Sequence, residues 1–159
     1  MQNTNAFLPL FTFMLLSISP FSQADWVFDT FSSGNMKHHI ARSDTLSTHQ
    51  SLELFCTTYD PQLAIAMYLP GQNQRKKITT SFSLRVDKER QWTLPASAHT
   101  MSLISRQTPS QELLSDMKTG NRVTVTYPLS KDTNTSLHFS LKGSGKALAR
   151  LEKQYTTSG

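Results

Sequence analysis

Residues Thr135–Tyr155 read TSLHFSLKGSGKALARLEKQY. Leu137, Phe139 and Leu141 alternate with polar residues, the pattern of a strand with one buried face. Lys142-Gly143-Ser144-Gly145 breaks the alternation, and Ala147, Leu148 and Leu151 then recur at the spacing of a short amphipathic helix. Ser144 stands where an N-cap would accept a bond from the first helical turn. A last strand that hands over to a docking helix predicts a sheet whose open end that helix covers.

Upstream, the chain is a succession of short strand patterns. Trp26-Val27-Phe28 opens it, Met36 to Ile40 follows the turn signal Ser32-Ser33-Gly34-Asn35, and Ser51–Thr57 and Leu63–Leu69 flank Tyr59-Asp60-Pro61-Gln62 as an antiparallel pair. Pro70-Gly71-Gln72-Asn73 ends the second of these. Ile78, Thr80, Phe82, Leu84 and Val86 alternate, and a charged turn, Asp87 to Arg90, leads to Gln91–Leu94, which Pro95 is expected to stop. Met101 with Leu103 marks another strand. Val123, Val125 and Tyr127 mark the next, with Pro128 as its expected end. Between these last two, Thr108-Pro109-Ser110-Gln111 reads as a capping box, with Thr108 as N-cap and Pro109 in the first helical position. Leu113, Leu114 and Met117 form that helix's apolar stripe, and Gly120 is expected to stop it in the left-handed conformation. Parallel βαβ units would need longer helices between most strands. The expected fold is therefore mainly β, an antiparallel β-sandwich or barrel-like domain with two short helices, one of them C-terminal.

Residues 1–24 carry no charged side chain and hold an apolar run from Ala6 to Leu16. A bilayer-spanning helix needs about 20 apolar residues, so this run reads as a signal peptide, with Ser22-Gln23-Ala24 before a cut at Asp25. Residues 25–159 then form a single β-rich domain, its tail from 156 to 159 frayed and no membrane span left after cleavage. The formal charge of +5 lies wholly within that domain, and a pI near 9.5 favours an acidic partner surface over nucleic acid, for which no recognition helix is present. Cys56 is the single cysteine, so no internal disulfide can form; at the end of Leu52-x-Leu54-x-Cys56 its sulfur belongs to the apolar face of a strand.

The run from Phe139 to Leu151, FSLKGSGKALARL, resembles the closing F-x-L-x-G-x-x-x-A-L-x-x-L signature of small exported bacterial proteins of the invasion-associated locus B and type VI secretion-associated accessory types. Leu52-Glu53-Leu54-Phe55-Cys56 resembles the earlier L-x-L-x-C strand of the same proteins. Their usual second cysteine falls shortly after the last leucine, where this chain has Tyr155. The resemblance implies a periplasmic or secreted accessory factor serving the envelope, secretion-system assembly or interaction with a host.

Residues with chemical potential do not assemble into a catalytic pattern. His38-His39 are neighbours on a strand and point to opposite faces, while His49, His99 and His138 lie on other segments, so no metal set is read. Gly143-Ser144-Gly145-Lys146 fails two positions of the phosphate-loop pattern. A helix start flanked by Lys142 and Lys146, with Ser144 between, is left as a possible anion contact. No G-x-S-x-G or S-x-x-K motif occurs, and Asp87 with Glu89 reads as a solvated hairpin tip among Lys88 and Arg90. Trp26 and Trp92 read as core fillers. The densest basic feature, Arg75-Lys76-Lys77, is the candidate binding loop.

The expectation is thus a non-enzymatic, cofactor-free protein without catalytic residues or metal, acting on an unidentified protein partner through strand edges or loops. The alternative is a binder or inhibitor of an anionic glycan or acidic enzyme through the basic loop. N-terminal sequencing of the exported protein is expected to begin at Asp25; a sequence beginning at Met1 would show that the leader is retained.

Overall fold

The computed structural model describes residues 25–44, 49–70, 79–88, 90–130 and 132–156. The leader, the Arg75-Lys76-Lys77 loop, Ile78, Glu89 and the tail beyond residue 156 lie outside the described residues. Nine strands follow one another as β1 (Val27–Ser33), β2 (Met36–Asp44), β3 (Ser51–Thr57), β4 (Ala64–Tyr68), β5 (Thr79–Val86), β6 (Gln91–His99), β7 (Ser102–Ser105), β8 (Arg122–Ser130) and β9 (Thr133–Ser140). Helix α1 (Gln111–Thr119) lies between β7 and β8, and α2 (Ser144–Thr156) closes the chain. All strands join one antiparallel sheet in the order β1-β2-β3-β4-β7-β6-β5-β8-β9. The expected mainly-β class with two short helices, one of them C-terminal, holds, and its form is one continuous, open antiparallel sheet.

Alternation gives the sheet one buried face. Leu52, Leu54, Ile65, Met67, Phe82, Leu84, Leu103, Val123, Val125 and Phe139 all point to the concave side and are essentially fully buried. Each such side chain contributes about 1.5–3 kcal/mol on leaving water, which is what a chain with one buried cysteine and no cross-link must rely on. Leu113, Leu114 and Met117 of α1, and Ala147, Leu148 and Leu151 of α2, fill the remaining space.

The stretch between β9 and α2 ties the two ends of the sheet together. The Trp26 amide donates to Lys142 O at 2.9 Å, and its indole Nε1 donates to Ser140 O at 2.7 Å. Gly143 turns the chain at φ +82°, a region that favours glycine, with the Trp26 carbonyl 3.4 Å from where a Cβ would sit. Ser144, fully buried, does not cap α2 as expected. It is the first residue of the helix, and its hydroxyl donates to Met117 O in the last turn of α1 at 2.6 Å. The two helices are also joined by Lys118 and Glu152 at 2.6 Å.

Five further local expectations are corrected. Helix α1 is capped by Ser110, whose hydroxyl accepts from Leu113 N; Pro109 lies before the cap and is buried, so the capping box at Thr108 does not form. Gly120 is extended rather than left-handed, at φ −74°; glycine is needed there because a Cβ would come within 2.3 Å of Val86 Cγ1 and 2.9 Å of Asp116 O. Pro95 and Pro128 do not end their strands. Two residues beyond Ser97↔Ile104, Pro95 would face Arg106, past the end of β7, and Pro128 sits at a bulge opposite Asn134, so neither ring breaks a continuous ladder. Asp87 is no solvated tip: its carboxylate accepts from the Asn121 and Arg122 amides and holds the start of β8. Met101, expected in a strand, lies in the turn before β7 and is 44% exposed.

Gly120→Ala is expected to destabilise the protein by about 1–3 kcal/mol, as overpacking against Val86 requires, read as a lower urea midpoint. An unchanged midpoint would mean that the α1–β8 turn is looser than described.

Candidate binding face

Antiparallel register sorts every side chain to the core or to the convex outer face. On the first five strands of the sheet the outer rows run Asp29↔Ile40↔Phe55↔Ala64, Phe31↔His38↔Thr57, and Val27↔Arg42↔Glu53↔Ala66↔Ile104. An outer face is normally polar. Here Val27 and Phe31 are exposed by 52% and 47%, Ile40, Phe55 and Ile104 are half-buried, and Ala64 and Ala66 floor the patch. The His38 ring stacks on Phe31 with centroids 4.6 Å apart. Tyr68 and Met101 extend the apolar surface beside Ser102. Because β6 outruns β7, an open depression of about 470 Å³ borders the patch, lined by Pro95, Ser97, His99, Ile104, Arg106 and Gln107.

The other half of the outer face is polar. Ser83, Thr126 and Ser136 form one cross-strand row and Arg85, Thr124 and His138 another, with hydroxyl and imidazole bonds of 2.8–3.0 Å along them. One sheet therefore presents two unlike surfaces. The apolar half groups Val27, Phe31, Ile40, Phe55 and Ile104 around Arg42 and Glu53, a cluster larger than the singly exposed apolar residues of an ordinary surface.

The residues singled out in the sequence fall elsewhere. Arg75, Lys76 and Lys77 lie outside the described residues. Lys142 pairs with Asp25 at 3.2 Å, the Ser144 hydroxyl is engaged with Met117 O, and Lys146 is exposed one turn on; the three are not drawn together around a common point. His38 and His39 do take opposite faces, His39 lying inside against Phe28 with its Nδ1 3.0 Å from Thr30 Oγ1. Trp26 and Trp92 serve the core, Trp92 half-buried beneath the Arg90 guanidinium. Among the described residues no group of three or more His, Cys, Asp or Glu is arranged to hold a metal. What the strand-by-strand reading missed is the apolar outer face. Its signal was present in Ala64-Ile65-Ala66-Met67 and in Phe31, Ile40 and Phe55, apolar residues at the parity that alternation reserves for water.

Inside, Cys56 is buried, and burial first, then the Asp60 carboxylate, pushes its thiol up. Burial likewise raises the Tyr155 phenol, with Glu152 adding to it and Cys56 among the groups it senses. Tyr155, near where the resemblance would place a second cysteine, is a partly buried ring packed against the core.

An antiparallel single sheet with a C-terminal helix packed against its buried face and two unlike outer halves defines a small β-rich domain. The chain belongs to the Invasion associated locus B (IalB) protein family, whose model matches residues 50–152. Among solved structures it is similar to invasion associated protein B from Bartonella henselae. The TM-score is 0.56 at 10% identity, covering 83% of this chain and 94% of that one, a likeness of fold. No curated protein sequence matches it.

His39 is held below its ordinary value by burial first, then by Lys37 and His38. The folded ring takes a proton less readily than the unfolded one, so the stability linked to neutral His39 is complete above about pH 6.5 and lost as pH falls through the folded value. His39→Gln is expected to flatten the decline in urea midpoint between about pH 7.5 and pH 5; an identical decline in the variant would remove His39 from the cause.

Proposed function

We propose that the protein is an exported, non-enzymatic accessory factor of the bacterial envelope or of interaction with a host, and that it acts by binding another protein through the apolar outer face of β1–β4 and β7. The observation that carries this reading is the composition of that face, where Phe31, Ile40, Phe55 and Ile104 occupy positions an antiparallel sheet normally gives to polar residues. Phe55 and Ile40 lie in the row beside Arg42 and Glu53, and apolar and aromatic side chains interspersed with a few charges are a common composition of a protein-binding surface. Family membership supports a role associated with invasion, and the leader supports passage to the periplasm or beyond. No helix among the described residues is long and apolar enough to cross a membrane. Service to a secretion system rests on the closing motif alone.

A second reading keeps the basic loop: Arg75-Lys76-Lys77 would hold an anionic glycan or an acidic enzyme. The two differ in their response to salt. At about 1 M salt, where screening reaches within about 3 Å, a basic-loop complex should dissociate and an apolar one should persist. Affinity purification of the exported protein at low and high salt, with Phe55→Glu, Ile104→Glu and an Arg75/Lys76/Lys77 charge reversal, separates them. The outer-face reading predicts a salt-tolerant complex weakened about tenfold or more by either glutamate, in variants of native circular dichroism. A complex lost in salt and lost on charge reversal, with both glutamate variants at full affinity, would contradict it.

A further inference from the structure

The free edge of β1 has a built-in lock. The Trp26 amide reaches Lys142 O outside the sheet, and Lys37 O accepts from the Thr58 amide on the β3 side. These two bonds fix the phase of the ladders: even-numbered residues of β1 aim their backbone groups away from β2. The groups of Thr30 and Ser32 therefore lie on the open edge, where Asp29 to Ser33 are all exposed. The edge pairs with β2 over all its residues in unbroken register, and it carries neither Lys nor Pro nor bulge, the usual protections of an edge. Among the described residues its protection is Asp29, whose Oδ1 accepts from the Thr30 amide at 2.7 Å.

We propose that this edge docks the same edge of a second copy, antiparallel, with Phe31 facing Phe31 of the copy on the two-fold axis. In that register Thr30 lies opposite Ser32 of the copy, and both present edge-facing backbone groups, as hydrogen-bonded pairs require. Phe31 becomes the non-hydrogen-bonded pair, the kind in which opposing side chains come closest. Asp29 falls opposite Ser33, so the exchange is balanced. The Thr30 amide passes from the Asp29 carboxylate to the Ser32 carbonyl, and the carboxylate takes the Ser33 hydroxyl. Phe31, 47% exposed on its own, is covered by its counterpart, and the His38 rings flank the pair. A one-residue shift would set opposite faces against each other, and the register that puts Asp29 against Asp29 opposes like charges. Self-complementarity of this kind is what a two-fold interface needs. The interface shares Phe31 with the outer face and leaves Ile40, Phe55 and Ile104 of the inner strands uncovered, so Phe55→Glu and Ile104→Glu test the outer face without touching the edge.

The test is sedimentation equilibrium on the purified exported protein, with cysteine cross-linking to read the register. A concentration-dependent monomer–dimer equilibrium is expected, with Kd raised at least about tenfold by Thr30→Pro, which removes an edge amide without touching the β1–β2 ladder, and by Phe31→Lys, which sets two ammonium groups on the axis. Phe31→Cys should form a disulfide-linked dimer readily under mild oxidation, while Ser33→Cys, displaced from the axis, should not; buried Cys56 leaves the background clean. A protein that stays monomeric at millimolar concentration, a dimer indifferent to both Thr30→Pro and Phe31→Lys, or equal cross-linking at residues 31 and 33 would overturn the proposal.

Discussion

Two hydrogen bonds from one residue set the shape of this molecule. Trp26 donates its amide to Lys142 and its indole N–H to Ser140, and so draws the first strand of the sheet against the exit from the last. β1 and β9 remain the two edge strands of the sheet, and this join brings the start of one against the exit from the other. With it the sheet curls, its concave side becomes an interior, and the helix that begins at Ser144 is delivered into that interior rather than over solvent. The Ser43 hydroxyl reaches toward the same Ser140 carbonyl at 3.4 Å, a longer and weaker contact.

The same join explains why the helices need few interactions of their own. Ser144 binds Met117 O, and Gly145 leaves only 3.1 Å between a would-be Cβ and Lys118 O, so α2 starts in contact with the end of α1. Lys118 and Glu152, each about three-quarters buried, then close the pair. Ion pairs at this depth give up much of their attraction to desolvation. Their value here is geometric, fixing which turn of α2 lies beside α1. The apolar stripe of α2 supplies the greater energy.

Much of this fold was legible from residues 135–155 outward, because alternation and helical spacing report burial directly. Strand β3 and the antiparallel pairing of β3 with β4 follow from Leu52, Leu54, Leu63, Ile65 and Met67. The misread points share a cause. Pro95, Pro128, Gly120 and Ser144 were given their usual local meaning, whereas tertiary neighbours decide their roles: the end of β7, a bulge, Val86 and Met117. The binding face was illegible for a related reason. Phe31, Ile40, Phe55 and Ile104 come from four strands, and only the register of the sheet brings them to one surface. The basic loop Arg75-Lys76-Lys77 stood out in the sequence because charge clusters are visible without a fold, which is also why they discriminate poorly between a solvated loop and a site.

The interior position of α2 and the meeting of β1 with the exit from β9 require the Trp26 seam to be shut in solution. Hydrogen exchange at the Trp26 amide and indole N–H, followed by NMR, measures this most directly. A closed seam predicts protection comparable to that of the Leu54 and Ile65 amides at the centre of the sheet. Exchange of both Trp26 protons at the rate of an exposed loop, with the β3 and β4 amides still protected, would show the sheet to be open at that end and contradict the fold's central constraint.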